Sequence, residues 1–234
     1  MTSLSIIIPT LDEAAGIVFT LERVQPLRTQ GHEVIVADGG SRDGTPDLAR
    51  PLADRVLSAP RGRAAQMNAG ARIACGDVLL FLHADTLLPR NAARLIAEGM
   101  VASGRDWGRF DVQIASRHPL LAVVTRLMNW RSRLTGIATG DQAIFVRRAV
   151  FEALGGYAPI ALMEDVDLTL RLKLLSPPLC LRERVATSAR RWESHGTVRT
   201  IVLMWWLRLR LFFGASPADL AKIYHRPPPE PPRH

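Results

Sequence analysis

The chain has 234 residues, of which 47% are hydrophobic, enough for a substantial core in one large domain or two small ones. Its two cysteines, Cys75 and Cys180, lie far apart without a Cys-x-x-Cys spacing. This argues against a disulfide framework or a zinc site and fits a reducing compartment. The opening segment MTSLSIIIPT has no basic region, and its apolar run is too short for a signal peptide.

The formal net charge is +8, and most of the surplus lies toward the C-terminus. Residues 182–234 carry 10 basic and 4 acidic residues, whereas residues 1–181 carry 20 basic and 18 acidic residues. A basic segment can attract nucleic acid, anionic lipid or a phosphorylated substrate, so the charge alone does not choose among these partners.

Short apolar runs alternate with helical stretches in the first half of the chain. The predicted buried strands cover residues 4–8, 32–37 and 78–82, and residues 55–58 predict a further short strand. The predicted helices cover residues 17–27, about 46–54 and 62–74. This alternation predicts an α/β fold with a mostly parallel sheet flanked by helices.

The second half of the chain has a looser pattern. A partly alternating stretch at residues 106–115 predicts an antiparallel strand, and residues 142–146 predict another strand before a helix that ends at residues 154–156. Further helices are predicted at residues 119–135, 164–175 and 197–213. The last segment, PPPEPPRH, predicts an extended or disordered tail.

Polar residues follow the predicted strands of the first half. Pro9-Thr10, Asp38, the segment 61–63 and Asp85 each come directly after a strand or close to its end. Ligands of parallel α/β sheets bind beyond the carboxyl ends of the strands. We therefore expect these four separated segments to meet in one crevice.

The apolar strand at residues 78–82 runs into His83, Ala84 and Asp85. Asp85 could bind a hard divalent cation such as Mg²⁺ or Mn²⁺, which takes oxygen ligands and phosphate oxygens together. His83 could be an additional ligand or a hydrogen-bond partner for phosphate. The structural alternative is that Asp85 caps the following helix.

Asp38 and two arginines allow both a binding and a structural interpretation. Asp38 could bind a base or ribose, or it could organise its loop as an Asx-turn residue. Arg61 and Arg63 adjoin a helix N-terminus, a combination that suits a phosphate, although a solvated basic turn is the alternative.

Glu164 and Asp165 follow the apolar stretch 160–163. One of these carboxylates could act as a general base if it were held near an acceptor hydroxyl. Acidic residues that cap a helix have the same spacing, so the pattern alone leaves both roles open.

Six segments in order carry a family resemblance. They are PTLDE, VADGGSRDGT, GRAAQMNAGA, LFLHADT, GDQAIFVRR and MEDVDL. Together they resemble the family 2 glycosyltransferases of GT-A fold over roughly residues 4–192. The segment ARRWESHG and the Trp-rich C-terminal helix also look like a small bacterial subgroup, the radical-SAM/selenodomain-associated transferases.

The resemblance implies roles for particular residues. Asp38 matches the family's nucleotide-binding Asp, and His83-Ala84-Asp85 stands where the family has Asp-x-Asp, so that Asp85 keeps the metal role. Asp165 matches the presumed catalytic base, with Glu164 beside it. The residues expected to bind the donor are Pro9, Thr10, Asp38, Arg61, Arg63, Asn68, His83, Ala84, Arg191 and Trp192.

The implied reaction is inverting, metal-assisted transfer of a sugar from a nucleoside-diphosphate sugar, most often UDP-linked, to an acceptor hydroxyl. The implied cofactor is Mn²⁺ or Mg²⁺, held by Asp85 and His83. Arg191-Trp192 resembles the Arg-Trp pair of processive members. Ser188 replaces the Gln of that motif, and no membrane channel is encoded, so we expect a non-processive enzyme.

The run at residues 201–213 is too short and too charged to span a bilayer. It could lie in a membrane interface with Trp205 and Trp206 at headgroup level, and a lipid-linked acceptor would then suit the enzyme. The alternatives are a core helix or a homodimer contact. We expect a cytoplasmic protein, with the inner face of the cell membrane as the place of any peripheral contact.

The expected domain organisation is a transferase domain at residues 1–192, with a nucleotide-sugar half to about residue 104 and an acceptor half beyond it. C-terminal helices would follow at residues 193–226 and the tail at 227–234. Two other functions remain open: a nucleotidyltransferase, and a catalytically degenerate protein that binds a membrane surface. Nucleic acid is not expected as a partner, because the basic excess adjoins an apolar helix rather than stacking aromatics on a sheet.

Overall fold

The computed structural model describes residues 2–116 and 118–224, except for the side chains of Arg191, Ser194, His195, Arg208, Leu211 and Phe212. The strands are β1 (Leu4–Thr10), β2 (Glu33–Asp38), β3 (Arg55–Ser58), β4 (Val78–Phe81), β5 (Thr86–Leu87), β6 (Trp107–Ala115), β7 (Phe145–Arg147) and β8 (Leu179–Ser188). The α-helices are α1 (Ala14–Thr29), α2 (Thr45–Ala49), α3 (Arg63–Ile73), α4 (Ala92–Ser103), α5 (Pro119–Thr135), α6 (Arg148–Ala153), α7 (Glu164–Leu175), α8 (Arg190–His195), α9 (Thr197–Phe212) and α10 (Pro217–Tyr224). A short 3-10 helix covers Gly140–Gln142.

One sheet contains all eight strands in the order β3-β2-β1-β4-β7-β6-β8-β5. The first four are parallel to one another, which brings their carboxyl ends to the same edge. Strand β7 is antiparallel to both of its neighbours, and β6 is parallel to β8. The predicted α/β fold with flanking helices is confirmed, and the parallel part of the sheet is the part that the apolar runs predicted.

Helices cover both faces of the sheet, so side chains of the central strands alternate between two buried layers. Ile6 and Ile8 of β1 pack in the layer that contains Ile17 of α1. Ile7 packs on the opposite face, in the layer that contains Met67 of α3. A strand buried on both faces favours apolar side chains in both layers, which explains Leu4 and the isoleucines at positions 6–8. The buried Ser5 between them is satisfied, because its hydroxyl donates to Glu33 at 2.6 Å and accepts from the Gly76 N–H at 2.9 Å.

Several predicted boundaries needed correction. Residues 140–142 turn into a 3-10 helix, so the strand predicted from residue 142 begins at Phe145. The helix predicted to residue 54 ends at Ala49. Strand β6 is antiparallel to β7, as expected, but it is also parallel to β8, a strand that the sequence pattern did not predict.

The C-terminal helices pack on the region that precedes α7. Leu207 of α9 and Leu220 and Tyr224 of α10 are buried in one cluster with Leu162 and Met163. The inner face of α9 is therefore a core contact, which was one of the predicted alternatives. No helix within the described residues is both long and apolar enough to cross a membrane, and the predicted tail at 227–234 lies outside those residues.

Gly70 allows α3 to lie close against the sheet. A Cβ at this position would lie 2.5 Å from Cγ2 of Ile7, far inside van der Waals contact. The Gly70→Ala variant should therefore lose about 1–3 kcal/mol of unfolding free energy, because α3 must shift or strain. Urea denaturation measures this loss.

Gly16 of α1 provides the matched control, since a Cβ there meets no atom within 4 Å. Gly16→Ala should gain roughly 0.5–1 kcal/mol from the better helix propensity of alanine. Equal effects of the two substitutions would contradict the close approach of α3 to β1.

Candidate active site

A cavity of about 1360 Å³ opens beyond the carboxyl ends of β1 and β4. The N-termini of α3 and α7 border it, and side chains from β8, α9 and α10 close it from the C-terminal side. The predicted site residues that line it are Pro9, Thr10, Arg61, Arg63, His83, Ala84, Asp85, Glu164, Asp165 and Trp192. Arg191 lies on α8, but its side chain is outside the described part of the structure.

Asp85 lies in the turn between β4 and the short strand β5. Its carbonyl oxygen accepts a hydrogen bond from the Ser188 N–H at 3.1 Å, and the hydroxyls of Thr86 and Thr187 are 3.0 Å apart. These contacts fix the backbone of Asp85 against the end of β8. Among the described residues, no donor is hydrogen-bonded to the Asp85 carboxylate, so it remains available to a ligand.

His83 lies against the 3-10 helix on the opposite side of the motif. Its Nδ1 is 3.3 Å from Oδ1 of Asp141, and its ring packs on Gly140, where a Cβ would collide with the imidazole. Burial lowers the pKa of His83, but the hydrogen bond to Asp141 and the charges of Asp141 and Asp85 outweigh it and raise the pKa. The ring is thus held by residues 140–141.

Asp165 lies in the first turn of α7, after Met163 in a left-handed conformation with φ of 64°. Its Oδ2 accepts a hydrogen bond from the Gly140 N–H at 2.7 Å, and its Oδ1 accepts one from the Val166 N–H at 2.7 Å. Each carboxylate oxygen keeps a second lone pair for another donor. The arrangement holds Asp165 in place at the cavity wall and leaves it able to accept a proton.

Glu164 is the more deeply buried member of the acidic pair, with only 6% of its side chain exposed. Burial and the charge of Asp165 raise its pKa, and the opposing effects of Arg63 and His83 do not cancel this shift. The Arg63 Nη1 lies 4.0 Å from its Oε1. Glu164 therefore serves as a counter-charge for Arg63 at the N-terminus of α3.

Two residues predicted to bind the donor do not line the cavity. The Asp38 carboxylate accepts hydrogen bonds from the Gly40 and Ser41 N–H groups at 2.9 Å and from the Thr10 hydroxyl at 3.0 Å. These are the contacts of the predicted Asx-turn alternative. Asn68 exchanges two hydrogen bonds with the backbone of Tyr157, at 2.8 and 2.9 Å, so its amide is used to hold the loop before α7.

Four ionisable residues that line the cavity were missed from the sequence. Arg190 donates to both carboxylate oxygens of Glu13 at 3.0 and 2.8 Å, joining α8 to the loop after β1. Asp141 contacts His83, and the largely buried Tyr224 arrives from α10. Asp141 lies in the recognised segment GDQAIFVRR and could have been named there, whereas no local signal pairs residues 13 and 190.

The side chains of the cavity could hold a divalent cation only together with a phosphate group. Within residues 2–116 and 118–224, no group of three or more His, Cys, Asp or Glu side chains is arranged to hold a metal ion. Mg²⁺ and similar hard ions often bind through one or two carboxylates, substrate phosphates and water. Asp85 can supply that single carboxylate, so its cavity suits a cation that is shared with a diphosphate.

Comparison with known proteins places the sequence among glycosyltransferases. The family description "Glycosyl transferase family 2" matches residues 5–154. The succinoglycan biosynthesis protein ExoA of Rhizobium meliloti (strain 1021) is 31% identical over 196 residues, which is 73% of this chain. The chain spans only 58% of that relative's length.

Two solved structures share the fold. A mannosyltransferase from Pyrobaculum calidifontis in complex with GDP-Man and Mn²⁺ has a TM-score of 0.66 at 21% identity, covering 95% of this chain and 68% of that one. S. aureus TarS 1-349 in complex with UDP-GlcNAc has a TM-score of 0.66 at 16% identity, covering 80% and 58% of the two chains. The family match decides against the nucleotidyltransferase alternative, and this chain belongs to glycosyltransferase family 2.

Proposed function

We propose that this protein is an inverting, non-processive glycosyltransferase that moves a sugar from a nucleoside-diphosphate sugar to an acceptor hydroxyl. The observation that carries the proposal is the position of Asp85 and Asp165 on separate elements around one cavity at the carboxyl ends of the parallel strands. The GDP- and UDP-sugar complexes of the proteins with a similar fold support such a donor.

Asp165 would accept the proton of the acceptor hydroxyl while that oxygen forms a bond with the anomeric carbon of the sugar. The bond from the anomeric carbon to the diphosphate breaks in the same step, and its electron pair leaves with the nucleoside diphosphate. Arg63 and Arg190 lie at the cavity and supply fixed positive charge for that leaving group. No covalent intermediate with the protein is needed.

Asp85 would hold a divalent cation together with the diphosphate, and a cation there would supply Lewis-acid charge to the leaving group. His83 stays predicted as a phosphate partner or second ligand. Its contacts with residues 140 and 141 make Asp85 the better placed of the two for the cation. Asp38 and Asn68 would act indirectly, by shaping the loops that border the donor.

The remaining expectations concern the cellular compartment, the division of the chain into two halves, the subgroup and the donor nucleotide. Both cysteines are unpaired, which supports a reducing compartment such as the cytoplasm. The division at about residue 104 into a donor half and an acceptor half, and the likeness to the radical-SAM/selenodomain-associated subgroup, stay predictions. UDP remains the first donor to test.

The role of Asp165 can be tested with Asp165→Asn, which keeps the shape of the side chain and removes its basicity. Transfer should fall by about 10²–10⁴-fold, because a positioned general base contributes that much. Nucleotide affinity should change far less, since the role proposed for Asp165 is to take a proton from the acceptor and not to bind the nucleotide. A sugar-transfer assay and calorimetric titration of UDP measure the two effects.

Asp167→Asn on the same helix is the matched control. Asp167 pairs with Arg171 at 2.7 Å and does not line the cavity, so its loss should leave turnover within about twofold and cost at most about 1 kcal/mol of stability. Full transfer activity in Asp165→Asn would remove the assigned base.

Asp85→Ala tests the cation site through thermal melting with nucleoside diphosphates, with and without Mn²⁺. The wild type should be stabilised by about 2.7 kcal/mol at a ligand concentration near 100 Kd, and by far less without the ion. Asp85→Ala should lose the Mn²⁺-dependent part, whereas the exposed Asp47→Ala should keep it. No shift of the wild type with any nucleotide would favour the catalytically degenerate alternative.

Glu164 makes the stability of the fold depend on pH. Its pKa in the fold lies above the ordinary value of 4.5, so the unfolded chain ionises first as the pH rises. The contribution of Glu164 to the free energy of unfolding should thus fall above about pH 4.5, until Glu164 also ionises in the fold. The melting-temperature difference between Glu164→Gln and wild type should become more positive over this range.

The exposed Glu98 of α4 serves as the control for this measurement. Glu98→Gln is measured over the same pH range, because it removes a carboxylate that is exposed to solvent. A flat or falling difference for Glu164→Gln would show that Arg63 fully compensates the buried carboxylate.

A further inference from the structure

Helix α5 carries an apolar stripe that nothing in the described structure covers. Its exposed members are Leu120, Val123, Leu127, Trp130 and Leu134. Their spacing of three and four residues places them on one side of the helix. Trp130 alone is 63% exposed, which is unusual for a large apolar side chain.

Helix α9 carries a second stripe of the same kind and contacts α5. Its exposed members are Val198, Val202, Trp205, Trp206 and Leu209. The two stripes together are called the α5/α9 apolar face. This set includes three tryptophans, whereas Val101 is the exposed large apolar residue of α4 and α7 carries three exposed leucines without an aromatic residue.

The charge of these two helices has one sign. Neither α5 nor α9 contains an Asp or Glu, and each contains three arginines. Arg126, Arg199 and Arg210 are exposed, and the Arg210 guanidinium lies 5.5 Å from the ring centre of Trp206. Apolar stripes with tryptophan and flanking arginines are the pattern of helices that lie in the interface of an anionic membrane.

A second copy of this chain fits the face poorly. A twofold contact would bring the same surface of each copy together, so arginines would meet arginines without an acidic partner on either helix. A bilayer that contains anionic lipid satisfies both features, because it accepts the apolar side chains and neutralises the arginines.

The face lies directly behind the cavity wall. Met128 of α5 and Thr200 and Met204 of α9 line the cavity, and none of these three residues belongs to the exposed stripes of the same helices. Because a helix with its side chains is about 10 Å across, docking through this face would place the cavity about one helix diameter from the lipid.

We propose that the α5/α9 apolar face docks on an anionic bilayer surface and that the sugar acceptor is anchored in that bilayer. The second half of this inference rests on the proposed transferase function, and the first half does not. After docking, an acceptor that diffuses in the plane of the bilayer would reach the protein next to the cavity wall that contains Met128 and Met204.

The test is co-sedimentation of the full chain with vesicles of phosphatidylcholine alone and with vesicles that also contain phosphatidylglycerol. The wild type should bind the anionic vesicles, and more weakly at high salt. Trp130→Ser combined with Trp205→Ser should weaken binding at least about tenfold. Arg126→Gln combined with Arg199→Gln should weaken it by on the order of tenfold and reduce its dependence on salt.

Val101→Ser and Leu174→Ser are matched controls, since these side chains are 76% and 86% exposed on α4 and α7. They should bind vesicles like the wild type, and thermal melting checks that every variant is folded. Absence of wild-type binding, or unchanged binding of the double tryptophan variant, would overturn the proposal. A dimer that the tryptophan substitutions dissociate, without vesicle binding, would assign the face to a second copy and also overturn it.

Two further variants separate this inference from the transferase function. Asp85→Ala and Asp165→Asn should bind vesicles like the wild type, because neither residue is part of the α5/α9 apolar face. Vesicle binding without nucleotide binding would overturn the proposed function and leave the docking surface intact. Nucleotide binding without vesicle binding would overturn the docking surface and leave the proposed function intact.

Discussion

The site depends on the absence of a side chain at Gly140. The Gly140 N–H donates to the Asp165 carboxylate at 2.7 Å, and its Cα leaves the space that the His83 ring occupies. One residue thus links the turn that follows β4 to the start of α7. A side chain at this position would push against the imidazole and would separate the motif around Asp85 from the acid at Asp165.

The cavity is completed by parts of the chain that come last. Strand β8 fixes the Asp85 turn through the Ser188 N–H, and α8 brings Arg190 to Glu13. Helix α10 then contributes Tyr224 to the wall. Because these contacts join residues at opposite ends of the chain, the cavity wall is complete only when the C-terminal helices have packed.

The parallel half of the fold could be predicted because three of its four strands, β1, β2 and β4, are almost fully buried and consist mostly of apolar residues. Strand β8 gave no such signal, since it alternates buried positions with exposed Arg182, Glu183 and Arg184 and has the composition of a surface segment. Strand β5 has only two residues, too few for any periodicity.

The order of strands and polar segments along the chain also predicted the position of most site residues, because polar residues that follow parallel strands lie at one edge of the sheet. It could not decide how each side chain is used. Asp38 and Asn68 are engaged by nearby backbone rather than by the cavity, and this depends on loop geometry. Partnerships such as Arg190 with Glu13 depend on tertiary packing, which no local pattern encodes.

The proposed function depends most on Asp85, which would hold a cation that a nucleoside diphosphate shares. The most direct measurement is a crystal structure with UDP and Mn²⁺, with the ion located by its anomalous scattering. If Asp85 holds the shared cation, a peak will lie inside the cavity at bonding distance from an Asp85 carboxylate oxygen and from the diphosphate. A nucleotide bound elsewhere, or an ion with no contact to Asp85, would contradict it.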